Sequence, residues 1–212
     1  MLGVLLIGWS VYIYFYGDPI TGLYESWRQH QLSGQLDNSF KHFKPPIPLS
    51  KPNQRTVSPV AVLAAARSFA NQTKPGQPLG RIVIRRIHIN QIFINGTSTS
   101  DLTAGPGRYS NTSFPGLGKV TAIAGHRTTF GAPFRHIDEL ASGNLISLEM
   151  PYGTFTYRIF AHEIVRNNDW SIIRKRRFET LVLSACHPLY SASHRWIVFA
   201  RLVSVAAPTR VK

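Results

Sequence analysis

From Arg81 onward apolar residues recur at every second position, and glycine or proline interrupts the pattern at short intervals. That period restricts the chain to short strands over most of its length. Arg81–Ile89 (RIVIRRIHI) places Ile82 and Ile84 on one face and Ile87 and Ile89 on the other. A β-bulge at Arg85-Arg86 accounts for the slip of one residue. Further strands are expected at Gln91–Ile94, Val120–Ala124, Leu145–Glu149, Gly153–Glu163, Thr180–Ala185 and Trp196–Val205. Turn signals separate them: Asn95-Gly96, Gly105-Pro106-Gly107, Pro115-Gly116, Ser142-Gly143 and Pro151-Tyr152-Gly153. The pattern predicts an all-β barrel or sandwich over residues 76–207.

Upstream the chemistry changes. Ser58-Pro59 caps and starts a helix within 58–75, and Val60–Asn71 (VAVLAAARSFAN) carries apolar residues at helical spacing before Pro75-Gly76. Residues 18–57 hold Pro45, Pro46, Pro48 and Pro52 among lysines and predict an extended spacer. Leu2–Tyr16 (LGVLLIGWSVYIYFY) has no charged residue and places Trp9, Tyr12, Tyr14 and Tyr16 toward its C-terminal end. It is short for a membrane span, which takes roughly 17–25 residues, yet its aromatics suit a headgroup interface. A cleaved signal peptide is the rival reading, but a basic n-region and an A-x-A-like site are both missing. The segment 1–17 is therefore read as a transmembrane signal anchor with the rest of the chain outside the cell.

The net charge of +14 calls for an anionic partner but does not choose one. The basic residues are scattered apart from Arg174-Lys175-Arg176-Arg177, and no nucleic-acid-binding motif occurs, so no nucleic acid is expected. Gly116, Gly118 and Lys119 resemble part of a phosphate loop, but Ser113 stands where its first glycine belongs. No H-E-x-x-H or zinc spacing is present, and neither metal nor cofactor is expected. The single cysteine, Cys186, excludes an intramolecular disulfide.

Three residues with complementary chemistry sit at strand mouths. His126 follows Val120–Gly125 (VTAIAG), Cys186 follows Thr180–Ala185 (TLVLSA), and Arg195 precedes Trp196–Leu202 (WIVFARL). A thiol attacks an amide as thiolate, which a nearby imidazolium or guanidinium favours. The imidazolium then protonates the leaving amine, and the guanidinium holds the oxyanion. On residues alone, His136, His187 and His194 remain rival bases, although His187 adjoins Cys186 too closely to face it easily.

Several stretches carry a family resemblance: Leu102–Tyr109 (LTAGPGRY), Thr112–Gly116 (TSFPG), Ile123–Phe134 (IAGHRTTFGAPF) and Leu183–Arg195 (LSACHPLYSASHR). Over about Arg81–Val205 the chain resembles a sortase, most of all the class E type of high-GC Gram-positive bacteria. The resemblance implies a closed eight-stranded β-barrel with an N-terminal helix and membrane anchor. It implies catalysis by His126, Cys186 and Arg195, and substrate contacts from Tyr109, Thr128, Ser184 and Ala185. The implied reaction is transpeptidation. Cys186 cuts a C-terminal L-A-x-T-G or L-P-x-T-G motif of a surface protein after threonine, and a cell-wall precursor or pilin amine resolves the thioacyl enzyme. The family's T-L-x-T-C reads Val182, Leu183, Ser184, Ala185, Cys186 here, so both threonines are replaced. Arg108 and Lys119 likewise replace a usual His and Asn. A catalytically impaired sortase-fold binding protein is the alternative these departures leave open.

Overall fold

The computed structural model describes residues 2–16, 19–49 and 57–208. Eight strands close into a barrel: β1 (Pro78–Ile84), β2 (Ile89–Asn95), β3 (Gly107–Arg108), β4 (Val120–Ala124), β5 (Leu145–Met150), β6 (Gly153–Arg166), β7 (Thr180–His187) and β8 (His194–Ala206). Their order around the barrel is β1-β2-β3-β4-β7-β8-β6-β5. Two pairs, β2/β3 and β4/β7, run parallel, and every other neighbouring pair is antiparallel.

The interior is filled by inward residues of these strands. Ile82, Ile84, Phe93, Leu148, Phe155 and Tyr157 are fully buried. A helix over Pro59–Gln72 adds Val62, Ala65, Ala66 and Phe69 to the same core. Its start follows the sequence signal, with Ser58 accepting from the Ala61 N–H at 3.5 Å and proline in its first turn. A second apolar cluster lies on the opposite face of the β4-β7-β8 sheet. There Ile172, from a 3-10 turn at Trp170–Ile173, packs on Val120, Ala122, Val182, Ile197 and Phe199. Because strand side chains alternate, Leu181, Leu183 and Ala185 face the interior core, while Val182, Ser184 and Cys186 share the outer face.

The structure revises several sequence expectations. Arg81–Ile89 is a hairpin and not one bulged strand: Ile84 pairs with Ile89 around a 3-10 turn at Arg85–Ile87. His88 takes a left-handed φ of 55° there, a conformation that His adopts more readily than most residues. The apolar face switches because the chain reverses.

The expected spacer holds a long helix over Pro19–His42. Leu32 and Leu36, one turn apart, are buried against Ile92, Ile94 and Ala104, which supplies the packing that an amphipathic helix needs. Prolines from Pro45 onward prevent its continuation, and positions 50–56 of the spacer lie outside the described residues. Numbered in chain order, the helices are α1 (Leu2–Tyr16), α2 (Pro19–His42), α3 (Pro59–Gln72) and α4 (Thr99–Leu102). The 15 residues of α1 reach only about 22 Å, against a hydrocarbon core of about 30 Å. Among the described residues no helix is long and apolar enough to cross a membrane.

Candidate active site

The site is assembled by strand register. Parallel pairing carries β4 alongside β7 from Val120↔Thr180 to Ala124↔Ser184. The Gly125 N–H donates to the Ser184 carbonyl at 3.1 Å and extends this ladder one step further. His126 therefore leaves the sheet beside Cys186. On the other flank, antiparallel pairing sets Cys186 opposite Arg195 as Cα partners. Three adjacent strands thus present His126, Cys186 and Arg195 in a row at one rim, one strand spacing of about 5 Å apart.

Each side chain has its own setting. Cys186 is a free, half-buried thiol. The His126 ring packs against Phe130, with centroids 5.3 Å apart, and burial holds its pKa below the usual 6.5. Arg195 is half-buried, and its Nη1 donates to the carbonyls of Ala192 and His194, both at 3.0 Å. The guanidinium is thereby steadied on its own loop while its Cα faces Cys186.

The loop after His126 is closed on itself. The Phe134 N–H donates to the His126 carbonyl at 2.9 Å. Gly125 is required here because an added Cβ would stand 2.6 Å from the Phe134 ring. Arg127, only 2% exposed, pairs with Asp138 at 2.8 Å. It also donates through Nε and Nη2 to the Arg135 carbonyl and through Nη1 to the Cys186 carbonyl. The sequence reading missed Arg127 and Phe130. Their only signal was position next to, and four beyond, a strand-end histidine.

The rival bases are otherwise engaged. His187 alternates away from Cys186 and packs its ring against Trp196, with centroids 5.5 Å apart. His136 contacts Glu139 at 2.7 Å, and His194 is hydrogen-bonded to Ser193 at 3.0 Å.

Of the residues expected to touch substrate, two come together. The Tyr109 hydroxyl donates to Ser184 Oγ at 3.3 Å, and Tyr109 also meets Trp170 edge-on with centroids 6.2 Å apart. Trp170 is 57% exposed, so this aromatic pair borders the outer face beside Cys186. Thr128 lies half-buried on the loop after His126 and makes no hydrogen bond to Tyr109 or Ser184 among the described residues. Ala185 is 2% exposed and belongs to the interior core, facing away from Cys186. Placed there, it fills the barrel and does not border the outer face. Arg108 is buried and held by the Asn95 side chain and the Tyr109 and Thr112 carbonyls. Its charge is thus committed locally, and burial lowers its pKa to about 10. A cavity of about 410 Å³ between the C-terminal part of α2 and α3, lined by Gln35, His42, Phe43 and Gln72, holds none of the three.

The model of the Sortase domain matches residues 82–203. Sortase D of Bacillus subtilis (strain 168) is 33% identical over 141 residues, covering 65% of this chain and 69% of that protein. The structure of sortase E from Streptomyces avermitilis is 31% identical and aligns with a TM-score of 0.58, over 64% of this chain and 93% of that one. A Clostridium perfringens Sortase D5 transpeptidase aligns with a TM-score of 0.65 over 84% of this chain and 99% of that chain; at 21% identity it speaks to the fold alone.

Proposed function

This chain belongs to the sortase family of cysteine transpeptidases, and on that premise we propose that it is a class E-like sortase whose catalytic trio is His126, Cys186 and Arg195. The observation that carries the proposal is the row of these residues at the ends of β4, β7 and β8. In the first half-reaction the Cys186 thiolate attacks the carbonyl carbon of the threonine in an L-A-x-T-G or L-P-x-T-G sorting motif. Arg195 holds the oxyanion, since a guanidinium stays charged and offers fixed donors. The C–N bond breaks, the His126 imidazolium gives its proton to the departing amine, and a thioester remains. In the second half-reaction a cell-wall precursor or pilin amine attacks the thioester. Its proton passes to neutral His126, the C–S bond breaks, and Cys186 leaves as thiolate.

Substrate would lie along the outer face bordered by Tyr109, Ser184 and Trp170, under the loop between β6 and β7, with Thr128 on the opposite bank. The apolar α1 would serve as the membrane anchor and hold the catalytic unit outside the cell. Its support is that Val4, Leu5, Leu6 and Ile7 are all at least 60% exposed among the described residues.

Mass spectrometry after incubation with a mixed library of sorting-motif peptides tests the proposal. An acyl adduct on Cys186, lost in Cys186→Ala, is the expected result. Adduct formation that survives Cys186→Ala removes the nucleophile from the mechanism. Peptide binding with no adduct on any peptide identifies an impaired, binding-only protein.

A further inference from the structure

Side chains of α2 meet the loop that follows His126. The Phe130 N–H donates to Thr21 Oγ1 at 2.7 Å. The Phe130 ring contacts Tyr24 on one side, with centroids 6.5 Å apart, and the His126 imidazole on another at 5.3 Å. The next residue, Gly131, is covered by Glu25: a Cβ built on Gly131 would stand 2.7 Å from Glu25 Oε2. Glu25 is 4% exposed, and its Oε1 has no hydrogen-bond partner among the described residues. Phe130, Gly131 and Ala132 take φ values of 50°, 67° and 44°, three left-handed residues in succession, two of them not glycine. Such a run persists only where its surroundings impose it.

The helix that contacts this run is itself fixed elsewhere. Gln29 Nε2 donates to the Ile92 and Ala104 carbonyls at 2.9 and 2.7 Å, and Gln29 Oε1 accepts from the Ile92 N–H at 2.7 Å. Gln29 thus behaves as one more strand residue on β2, and Leu32 and Leu36 seat the following turns. With its middle locked to the barrel, α2 delivers Thr21 and Glu25 to the loop in a set position.

We propose that Thr21 and Glu25 are positioning residues, which hold the His126 loop from α2 and so set where the imidazole stands relative to Cys186. The inference rests on the reading of His126 as the catalytic base. Neither residue touches the thiol; both act through Phe130 and Gly131. The consequence is kinetic: loss of either contact lowers turnover more than substrate binding, because misplacing a reacting group costs rate.

The test uses the full-length enzyme in detergent micelles with the peptide that acylates Cys186. Thr21→Val and Glu25→Ala are expected to lower kcat about tenfold, while KM changes by less than about twofold. Thr21→Ser and Glu25→Gln, which restore the acceptor and the side-chain shape, are expected to recover most of the rate. Unchanged kcat in both first variants, a loss expressed in KM, or failure of both conservative variants to recover overturns the inference. One measurement needs no variant: the wild-type Phe130 amide should exchange its hydrogen at least about tenfold more slowly than an open loop amide, and unprotected exchange overturns the contact. His126→Ala separates the two levels. If it keeps turnover, the reading of His126 is at fault. If it is inactive while Thr21→Val and Glu25→Ala match wild type, only the positioning role is lost.

Discussion

The guanidinium of Arg127 donates to the carbonyl of Cys186 at 3.3 Å, so the residue after the proposed base is bonded to the backbone of the proposed nucleophile. The same group neutralises Asp138 and satisfies the Arg135 carbonyl. Arg127→Met removes all of these and leaves buried acceptors unpaired. It is expected to destabilise the fold by about 2–4 kcal/mol and to lower kcat at temperatures where the fold persists. Asp138→Asn, which removes only a half-exposed partner, should cost less than Arg127→Met in the same thermal denaturation series.

Phe130 shields the His126 imidazole, and burial depresses its pKa below 6.5. Phe130→Ala admits water and should raise the His126 pKa toward 6.5, as read from the pH dependence of its ring resonances. Where acylation requires the imidazolium, the alkaline limb of kcat/KM should shift upward with it. A depressed histidine lends stability above its unfolded value that is lost as pH falls below about 6.5. The variant should therefore show a shallower loss of stability on acidification.

Glu25 titrates in the opposite sense. Burial raises its pKa from 4.5 to about 7, so between these values the folded chain keeps a proton that the unfolded chain has released. Its contribution to stability is full below 4.5 and is lost as pH rises through about 7. Glu25→Gln removes this dependence. The stability of the variant relative to wild type should grow by roughly 1–3 kcal/mol between pH 5 and pH 8 in denaturant titrations. His126 is present in both proteins, so its own pH dependence cancels in this difference.

Glu179 ties the loop before β4 to the barrel. Its carboxylate accepts from the Gly116 and Gly118 N–H groups at 2.9 and 2.8 Å and from the Tyr157 hydroxyl at 2.7 Å. Glu179→Gln weakens charge-assisted bonds in a buried setting and should cost about 1–3 kcal/mol. The expected readout is a lower Tm with acylation of Cys186 unchanged per folded molecule.

The legibility of the sequence followed the strength of its local signals. Thr180–Ala185 and Val120–Ala124 read as strands because mostly apolar runs end at His-Pro and at Gly-His, and Cys186 and His126 stand at those same endings. Arg195 stands out only as the residue before the last apolar run. The two-residue strand β3 has no period to detect, yet it closes the barrel between β2 and β4. The helix α2 was hidden because its buried stripe is narrow. Only Glu25, Leu32 and Leu36 are buried along its described side chains, and Gln29 earns its place by completing a strand edge. The contacts of Thr21 with Phe130 and of Glu25 with Gly131 span more than a hundred positions, and no local pattern announces them.

The parallel pairing of β4 with β7 has a consequence for how such a protein can vary. Val120 pairs with Thr180 and Ala124 with Ser184, so the spacing from the proposed base to the proposed nucleophile is fixed by a ladder and not by the chain that connects them. That connecting chain contains β5, β6 and the loop with the Trp170–Ile173 turn. Insertions and deletions in its loops are expected to alter the proposed substrate face while leaving His126 and Cys186 in register. The fold thereby separates the evolution of specificity from the preservation of chemistry.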